Sequence, residues 1–308
     1  MNNKHIPWIE KYRPKNFESI VLSEHNKTIL ENIINMDIFP NLMLYGPPGT
    51  GKTTTIINLI QKYQEKHNEN HKELKIHLNA SDERGIDIIR NQIYNFVDSK
   101  SLFLKGTKFI ILDEVDYMTK NAQQALKYLI QKSPENVKFC LICNYISKID
   151  NMLRNEFFCL RFHHLPSNNI KFFIRNICEN ENISIKEEIV NNIIEHFQSD
   201  LRSMINYIQL NYNNFQDIMI INSNLFDEFI NVTKTKKIND VKIKLYSNCQ
   251  EYNISEKSFI KNFIDYLLKN KKIKNIKEFL IFLEEILHVK YNQYILDYFL
   301  FNIKSFVS

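Results

Sequence analysis

The stretch LMLYGPPGTGKTTTIINLI, Leu42–Ile60, decides the fold. Four apolar residues read as a buried strand, a glycine-rich loop follows, and TTTIINLI opens a helix. Gly46, Pro47, Pro48, Gly49, Thr50, Gly51, Lys52 and Thr53 fit the spacing G-x-x-x-x-G-K-[ST] in the strand-loop-helix setting that this motif requires. Glycines let consecutive backbone N–H groups turn inward as an anion nest, and the helix N-terminus adds partial positive charge. These eight residues, with Thr54 beside them, are candidate contacts for the phosphates of a nucleotide. Lys52 is placed to reach the β- and γ-phosphates, and Thr53 to ligate magnesium.

Outward from this loop, residues 41 to 165 alternate short apolar runs with helical ones: NLMLYG, LKIHLNA, KFIILDE, VKFCLICNY and CLRFHHL as strands, with TTTIINLIQKYQEK, IDIIRNQIYNFV and NAQQALKYLIQK as helices between them. The alternation predicts an α/β fold, a parallel sheet covered by helices on both faces. KFIILDE ends in Asp113 and Glu114, carboxylates at the end of a buried strand near the phosphate loop. Asp113 is the candidate second magnesium holder, and Glu114 the group that orients or polarises an attacking water. Asn144, at the end of the neighbouring strand, is a candidate to offer its amide to the γ-phosphate or to water.

After Pro166 the strand signals stop. The segment to about residue 209 suits a bundle of about three helices, and the lysine-rich VTKTKKIND leads to further amphipathic helices. In SFIKNFIDYLLKN, Phe259, Ile260, Phe263, Ile264, Leu267 and Leu268 share one helical stripe, which reads as core or subunit interface. KNKKIKNIKEF reads as a solvated face. No internal repeat is evident.

The chain has 308 residues, 44% hydrophobic and 24% charged, enough to bury a core, and length suggests about two domains. The formal charge of +5 suits an acidic partner without requiring one. No run approaches the roughly 18 apolar residues that span a bilayer, and MNNKHIPWIEKYRPKNF lacks a signal or transit pattern, so a cytosolic or nuclear location with no membrane partner is expected. The five cysteines suggest a reducing compartment. Cys140 and Cys143 form C-x-x-C, yet within a buried strand positions three apart face opposite ways, which argues against a metal or redox pair. The five glycines are few enough that Gly46, Gly49, Gly51, Gly85 and Gly106 should mark special backbone geometry.

Taken together, WIEKYRP, LYGPPGTGKT, NASDERGID, ILDEVDYMTKNAQQAL, FCLICNYISKI and SDLRSMIN resemble the small subunits of replication factor C, the sliding-clamp loader, from about Pro7 to Gln209. FCLICNYISKI and ASDERGIDIIR are most similar to the class numbered five in vertebrates and three in budding yeast. The resemblance implies an AAA+ domain over 1–165, a helical lid over 166–230 and a helical collar over 231–308. It implies ATP and Mg2+ as cofactors, four other replication factor C subunits, the sliding clamp and primer-template DNA as partners, and the nucleus as location. Tyr12, Arg13, Pro14 and Val21 become expected adenine contacts, Asn144 the γ-phosphate sensor, and Arg202 a lid arginine that reaches phosphate.

Gly85 would let the chain turn into a helix near Asp87, where free amides with Arg84 and Arg90 could meet DNA phosphates; ion pairing with Asp82, Glu83 or Asp87 is the competing reading. The family's Arg-Arg pair falls on Lys127 and Tyr128, leaving Lys127 as the remaining candidate DNA contact there. The family's Ser-Arg-Cys, whose arginine reaches a neighbouring subunit's ATP, falls on Asn155, Glu156 and Phe157. A carboxylate there would repel phosphate. Arg154 lies two positions earlier, about 200° around a helix. The expectation is a chain that binds and hydrolyses ATP with help from a neighbour, while offering its other neighbour no arginine. Two rival readings are a ring subunit that holds nucleotide without turnover, and another AAA+ remodelling ATPase.

Overall fold

The structure, a computed structural model, describes residues 6–69, 71–81, 88–99, 106–163, 165–212, 223–252, 254–287, 289 and 292–307, with the backbone alone at 72, 88–90 and 287. It divides into two compact units, Met1–Asn213 and Asn214–Ser308.

The first unit is built on five parallel strands in the order β2-β3-β4-β1-β5: β1 Leu42–Tyr45, β2 Lys75–Asn79, β3 Lys108–Asp113, β4 Val137–Cys143 and β5 Phe158–Arg161. Leu42 pairs with Cys140 on one side and Phe158 on the other. The helices are α1 Trp8–Lys11, α2 Glu24–Asn35, α3 Lys52–Lys66, α4 Tyr94–Asp98, α5 Lys120–Lys132, α6 Asn151–Arg154, α7 Ser167–Asn180, α8 Glu187–Phe197 and α9 Leu201–Asn211. Side chains alternate across the sheet. Leu42, Leu44, Phe109, Ile111, Cys140 and Ile142 pack under α2 and α3, through Leu30, Ile56, Leu59 and Ile60. Met43, Ile110, Leu112, Leu141 and Cys143 pack under α5, through Ala122, Leu126 and Ile130. Cys140 and Cys143 therefore lie on opposite faces, as their spacing requires. Burial raises both thiols above the ordinary cysteine range, Cys143 to about 12.

Local signals set the ends of these helices. Ser23, Thr119, Asp150 and Asp200 cap α2, α5, α6 and α9 by accepting from Asn26, Ala122, Met152 and Ser203 N–H. IDIIRNQIYNFV is less regular than expected: Ile88–Ile93 forms a wider π-type turn before α4. Asp82, Glu83, Arg84, Gly85 and Asp87 lie outside the described residues, and at Arg90 only the backbone is described.

The second unit contains α10 Ser223–Thr235, α11 Ile238–Glu251, α12 Glu256–Lys269, α13 Ile276–Leu287 and α14 Gln293–Phe306. Phe259, Phe263 and Leu267 of the α12 stripe are fully buried with Phe229 and Phe279. Each such side chain contributes about 1.5–3 kcal/mol by leaving water. The boundary expected at 230/231 falls inside α10. Its Leu225, Phe226, Phe229 and Ile230 all pack into this second core, which is why the helix belongs with the C-terminal unit. KNKKIKNIKEF is mainly exposed, although Lys272 pairs with Asp227 and Tyr266. Among the described residues, no helix is long and apolar enough to cross a membrane.

Candidate nucleotide site

At the carboxyl ends of β1, β3 and β4 lies a cleft of about 310 Å³ within the first unit. Its floor is the loop between β1 and α3. Gly51 occupies the left-handed region (φ +84°) as the N-cap of α3, and Gly51, Lys52, Thr53 and Thr54, whose N–H groups an α-helix leaves without an intrahelical acceptor, all line the cleft. A methyl group on Gly46 would lie 2.1 Å from the Phe162 carbonyl oxygen, and one on Gly49 would lie 1.9 Å from Asp200 Oδ1. The loop is thus seated against β5 on one side and the start of α9 on the other. Leu201 N–H donates to the Gly49 carbonyl at 3.3 Å, fastening that second contact.

Lys52 is buried, and its ammonium donates to the carbonyls of Gly46 (2.8 Å) and Pro47 (2.7 Å) and to Asn144 Oδ1 (2.9 Å). Burial lowers its pKa, and attraction to Asp113 opposes that shift. Thr53 Oγ1 donates to Asp113 Oδ2 at 2.7 Å, which joins α3 to the end of β3. Glu114 follows in a left-handed conformation (φ +56°) rare for a side-chain-bearing residue, and its N–H donates to Asp113 Oδ1. This conformation costs about 1–2 kcal/mol, and Glu114 is among the residues that line the cleft. His77 Nε2 is 4.0 Å from Asp113; burial lowers this imidazole from its ordinary value, and the Asp113 carboxylate opposes that shift.

The cleft wall comes from five further segments: residues 9–14, 20–21, 142–144, Phe173 of α7 and residues 201–205 of α9. Tyr12, Arg13, Pro14 and Val21 line it, together with Pro48, Thr50, Thr54, Asn144 and Arg202. Gly46 and Pro47 do not line it; their carbonyls face Lys52 instead. Ile9, Glu10, Ile20, Ile142, Phe173, Leu201 and Ile205 complete the wall and were missed. Apart from Glu10, which reads as a surface charge, and Ile20, adjacent to Val21, these residues follow the same apolar periodicity as core positions, so no sequence signal separates them. Asp116 was also missed: it is buried and accepts from Asn144 N–H at 3.4 Å. Of the candidate DNA contacts, Lys127 alone has a described side chain, and its Nζ is 3.7 Å from Met152 Sδ of α6. Glu156, beside it, accepts from Gln131 Nε2 at 2.7 Å, while Asn155 is exposed and Phe157 buried.

The donor set fits magnesium and a triphosphate. Thr53 and Asp113 are hard oxygen donors, and two protein ligands suit an ion that keeps waters and shares phosphate oxygens. A loop whose N–H groups are exposed by glycine suits the phosphates themselves.

The description "ATPase family associated with various cellular activities (AAA)" matches residues 42–163, the segment that carries all five strands and the whole phosphate loop. Replication factor C subunit 5 of Homo sapiens is 40% identical over 207 residues, 67% of this chain and 60% of that one. Replication factor C subunit 3 of Saccharomyces cerevisiae is 36% identical over 208 residues, 68% and 60%. The archaeal replication factor C small subunit 2 of Pyrobaculum islandicum is 38% identical over 203 residues, 66% and 62%. The chain thus spans about 60% of the length of the curated relatives it matches. Phosphate loop, strand-end acid and sequence comparisons agree: residues 42–163 match the AAA ATPase family, and the chain is similar over about two thirds of its length to replication factor C small subunits.

Proposed function

We propose that the chain is a small subunit of a replication factor C clamp loader, which binds and hydrolyses ATP to load a ring-shaped sliding clamp onto primer-template DNA in the nucleus. The observation that carries this reading is the convergence of Lys52, Thr53, Asp113, Glu114, Asn144 and Arg202 on one cleft in a chain 36–40% identical to replication factor C subunits.

Each residue has a role consistent with its position. The loop amides from Gly49 to Thr53 hold the phosphates, and Lys52 exchanges its carbonyl partners for phosphate oxygens. Thr53 and Asp113 hold magnesium, which screens the phosphate charge during attack. Glu114 orients the attacking water, Asn144 reads the γ-phosphate, and Arg202 reaches it from α9. Tyr12, Arg13, Pro14 and Val21 enclose the base. Arg84, Arg90 and Lys127 are the proposed contacts to DNA backbone, a sequence-independent mode of binding. Four related subunits, the clamp and DNA are the proposed partners, and residues 166–212 act as lid and the second unit as collar.

The bond between Glu156 and Gln131 supports one qualification. Asn155, Glu156 and Phe157 place no cation on this surface, so the chain receives an arginine from one neighbour and gives none to the other. The decisive experiment is reconstitution with the companion subunits and clamp. DNA- and clamp-stimulated ATPase that falls at least tenfold with Glu114→Gln supports the proposal; a complex that neither forms nor turns over ATP contradicts it.

A further inference from the structure

The segment from Trp8 to Pro14 supplies five residues of the cleft wall, yet α1 is only four residues long and cannot hold a defined position by itself. Three contacts from distant parts of the first unit hold it. Trp8 N–H donates to Gln209 Oε1 at 2.9 Å, and the Trp8 ring packs on Tyr212 with centroids 5.8 Å apart. Asn58 Nδ2 of α3 donates to the Pro14 carbonyl at 3.0 Å. Between these anchors, one oxygen of Glu181 accepts from Tyr12 Oη at 2.6 Å and from Lys11 Nζ.

Glu181 is the C-cap residue of α7, at the point where the helix carbonyls end, and its side chain is only 18% exposed. Neither α7 nor the phosphate loop requires a carboxylate there. Being ionised, Glu181 can only accept, so Tyr12 must donate its sole proton to it. That commitment fixes the far end of the ring, and so the tilt of the whole side chain, and leaves the hydroxyl no proton to donate elsewhere. Tyr12 then presents ring surface to the cleft, beside Ile9, Ile20 and Ile205.

We infer that Glu181 is a positioning residue for the base-binding wall: it holds Tyr12 in the orientation that lets the cleft accept a purine nucleotide, although it does not line the cleft itself. The inference rests on ATP binding as the function of this site. It links the end of α7 to nucleotide affinity through a single side chain, 169 residues from the tyrosine it orients. Because Lys11 and Tyr12 share one oxygen, neither replaces the other when the carboxylate is removed.

The test uses the full chain with Mg2+ and a fluorescent N-methylanthraniloyl ATP, measuring dissociation constants by titration and melting midpoints without nucleotide. Glu181→Ala is expected to weaken binding about tenfold, the lower end for a hydrogen bond to a charged group in a partly exposed setting. Tyr12→Phe is expected to weaken it by a similar factor. If both act through one bond, the double variant is no more than about twofold weaker than the worse single variant. Glu181→Gln, whose amide oxygen still accepts from Tyr12, should stay within about threefold of the wild type.

Binding by Glu181→Ala within twofold of the wild type would overturn the inference, as would additive losses in the double variant. Should the alanine variant fail to fold, Tyr12→Phe alone decides: unchanged affinity refutes the inference, and a tenfold loss without a lowered melting midpoint supports it. A wild type that binds no nucleotide refutes the proposed function instead, which separates the two failures.

Discussion

Gly46 and Gly51 occupy the same phosphate loop, but the structure gives them different reasons to be glycine, and the difference has a measurable size. At Gly51 an added Cβ meets no atom within 4 Å, so Gly51→Ala costs only the left-handed backbone at φ +84°, about 1–2 kcal/mol. At Gly46 an added Cβ lies 2.1 Å from the Phe162 carbonyl oxygen, more than an ångström inside ordinary contact. Phe162 cannot yield freely, because its N–H is bonded to the Tyr45 carbonyl at 2.7 Å and its ring is buried under α2. Gly46→Ala therefore adds overpacking of about 1–3 kcal/mol to a strained φ, for a total of about 3 kcal/mol or more. In a unit of this size each kcal/mol lowers the melting midpoint by about 2–4 °C. The expected shifts are about 2–8 °C for Gly51→Ala and at least about 6 °C for Gly46→Ala, the latter the larger at any one slope, read by far-ultraviolet circular dichroism on the full chain. Equal shifts, or a larger one at Gly51, would refute the assignment of the Gly46 constraint to packing against β5.

Three further outcomes follow from the same geometry. Gln123, buried on α5, donates to the Met118 and Lys148 carbonyls and accepts from Asp150 N–H, so Gln123→Leu should cost about 2–4 kcal/mol in urea unfolding, since three groups lose their partner. Hydrogen bonds from Lys11 and Tyr12 hold Glu181 below its ordinary carboxylate value against the opposing effect of burial. The folded pKa being the lower one, its stabilisation is complete above about pH 4.5 and is lost as pH falls through the folded value, so the stability difference from Glu181→Gln should shrink on acidification below that point. In the reconstituted complex, Glu156→Arg should raise total ATPase, because it places a cation on the surface where Gln131 now binds a carboxylate; an unchanged rate counts against the finger reading.

The sheet was legible because β3 and β4 are continuous apolar runs: KFIILD and VKFCLIC are buried on both faces and leave only the helices between them to be placed. The phosphate loop was legible because its chemistry needs a fixed spacing of glycine, lysine and threonine. The remaining wall of the cleft was not. Phe173 and Ile205 occupy helical positions indistinguishable from those of Ile174 and Ile208, which are core; only the packing of α7 and α9 beside the loop turns the first pair toward the cleft. Glu181 was hidden for a similar reason, since a carboxylate ending a helix ordinarily reads as surface. The boundary at 230 was misplaced because the amphipathic pattern of α10 records that the helix has a buried face and says nothing of which core receives it. The π-type turn at Ile88–Ile93 carries the periodicity of an ordinary helix over too few residues to be told apart.

The claim on which the rest depends is that the loop around Lys52 binds a nucleoside triphosphate with magnesium. Isothermal titration of the full chain with ATP and Mg2+, repeated with Lys52→Ala, tests it most directly. The account predicts saturable one-site binding to the wild type and a loss of at least a hundredfold in the variant, measured at a temperature where circular dichroism shows both proteins folded. Absence of binding to the wild type, or equal affinity in the variant, would contradict it.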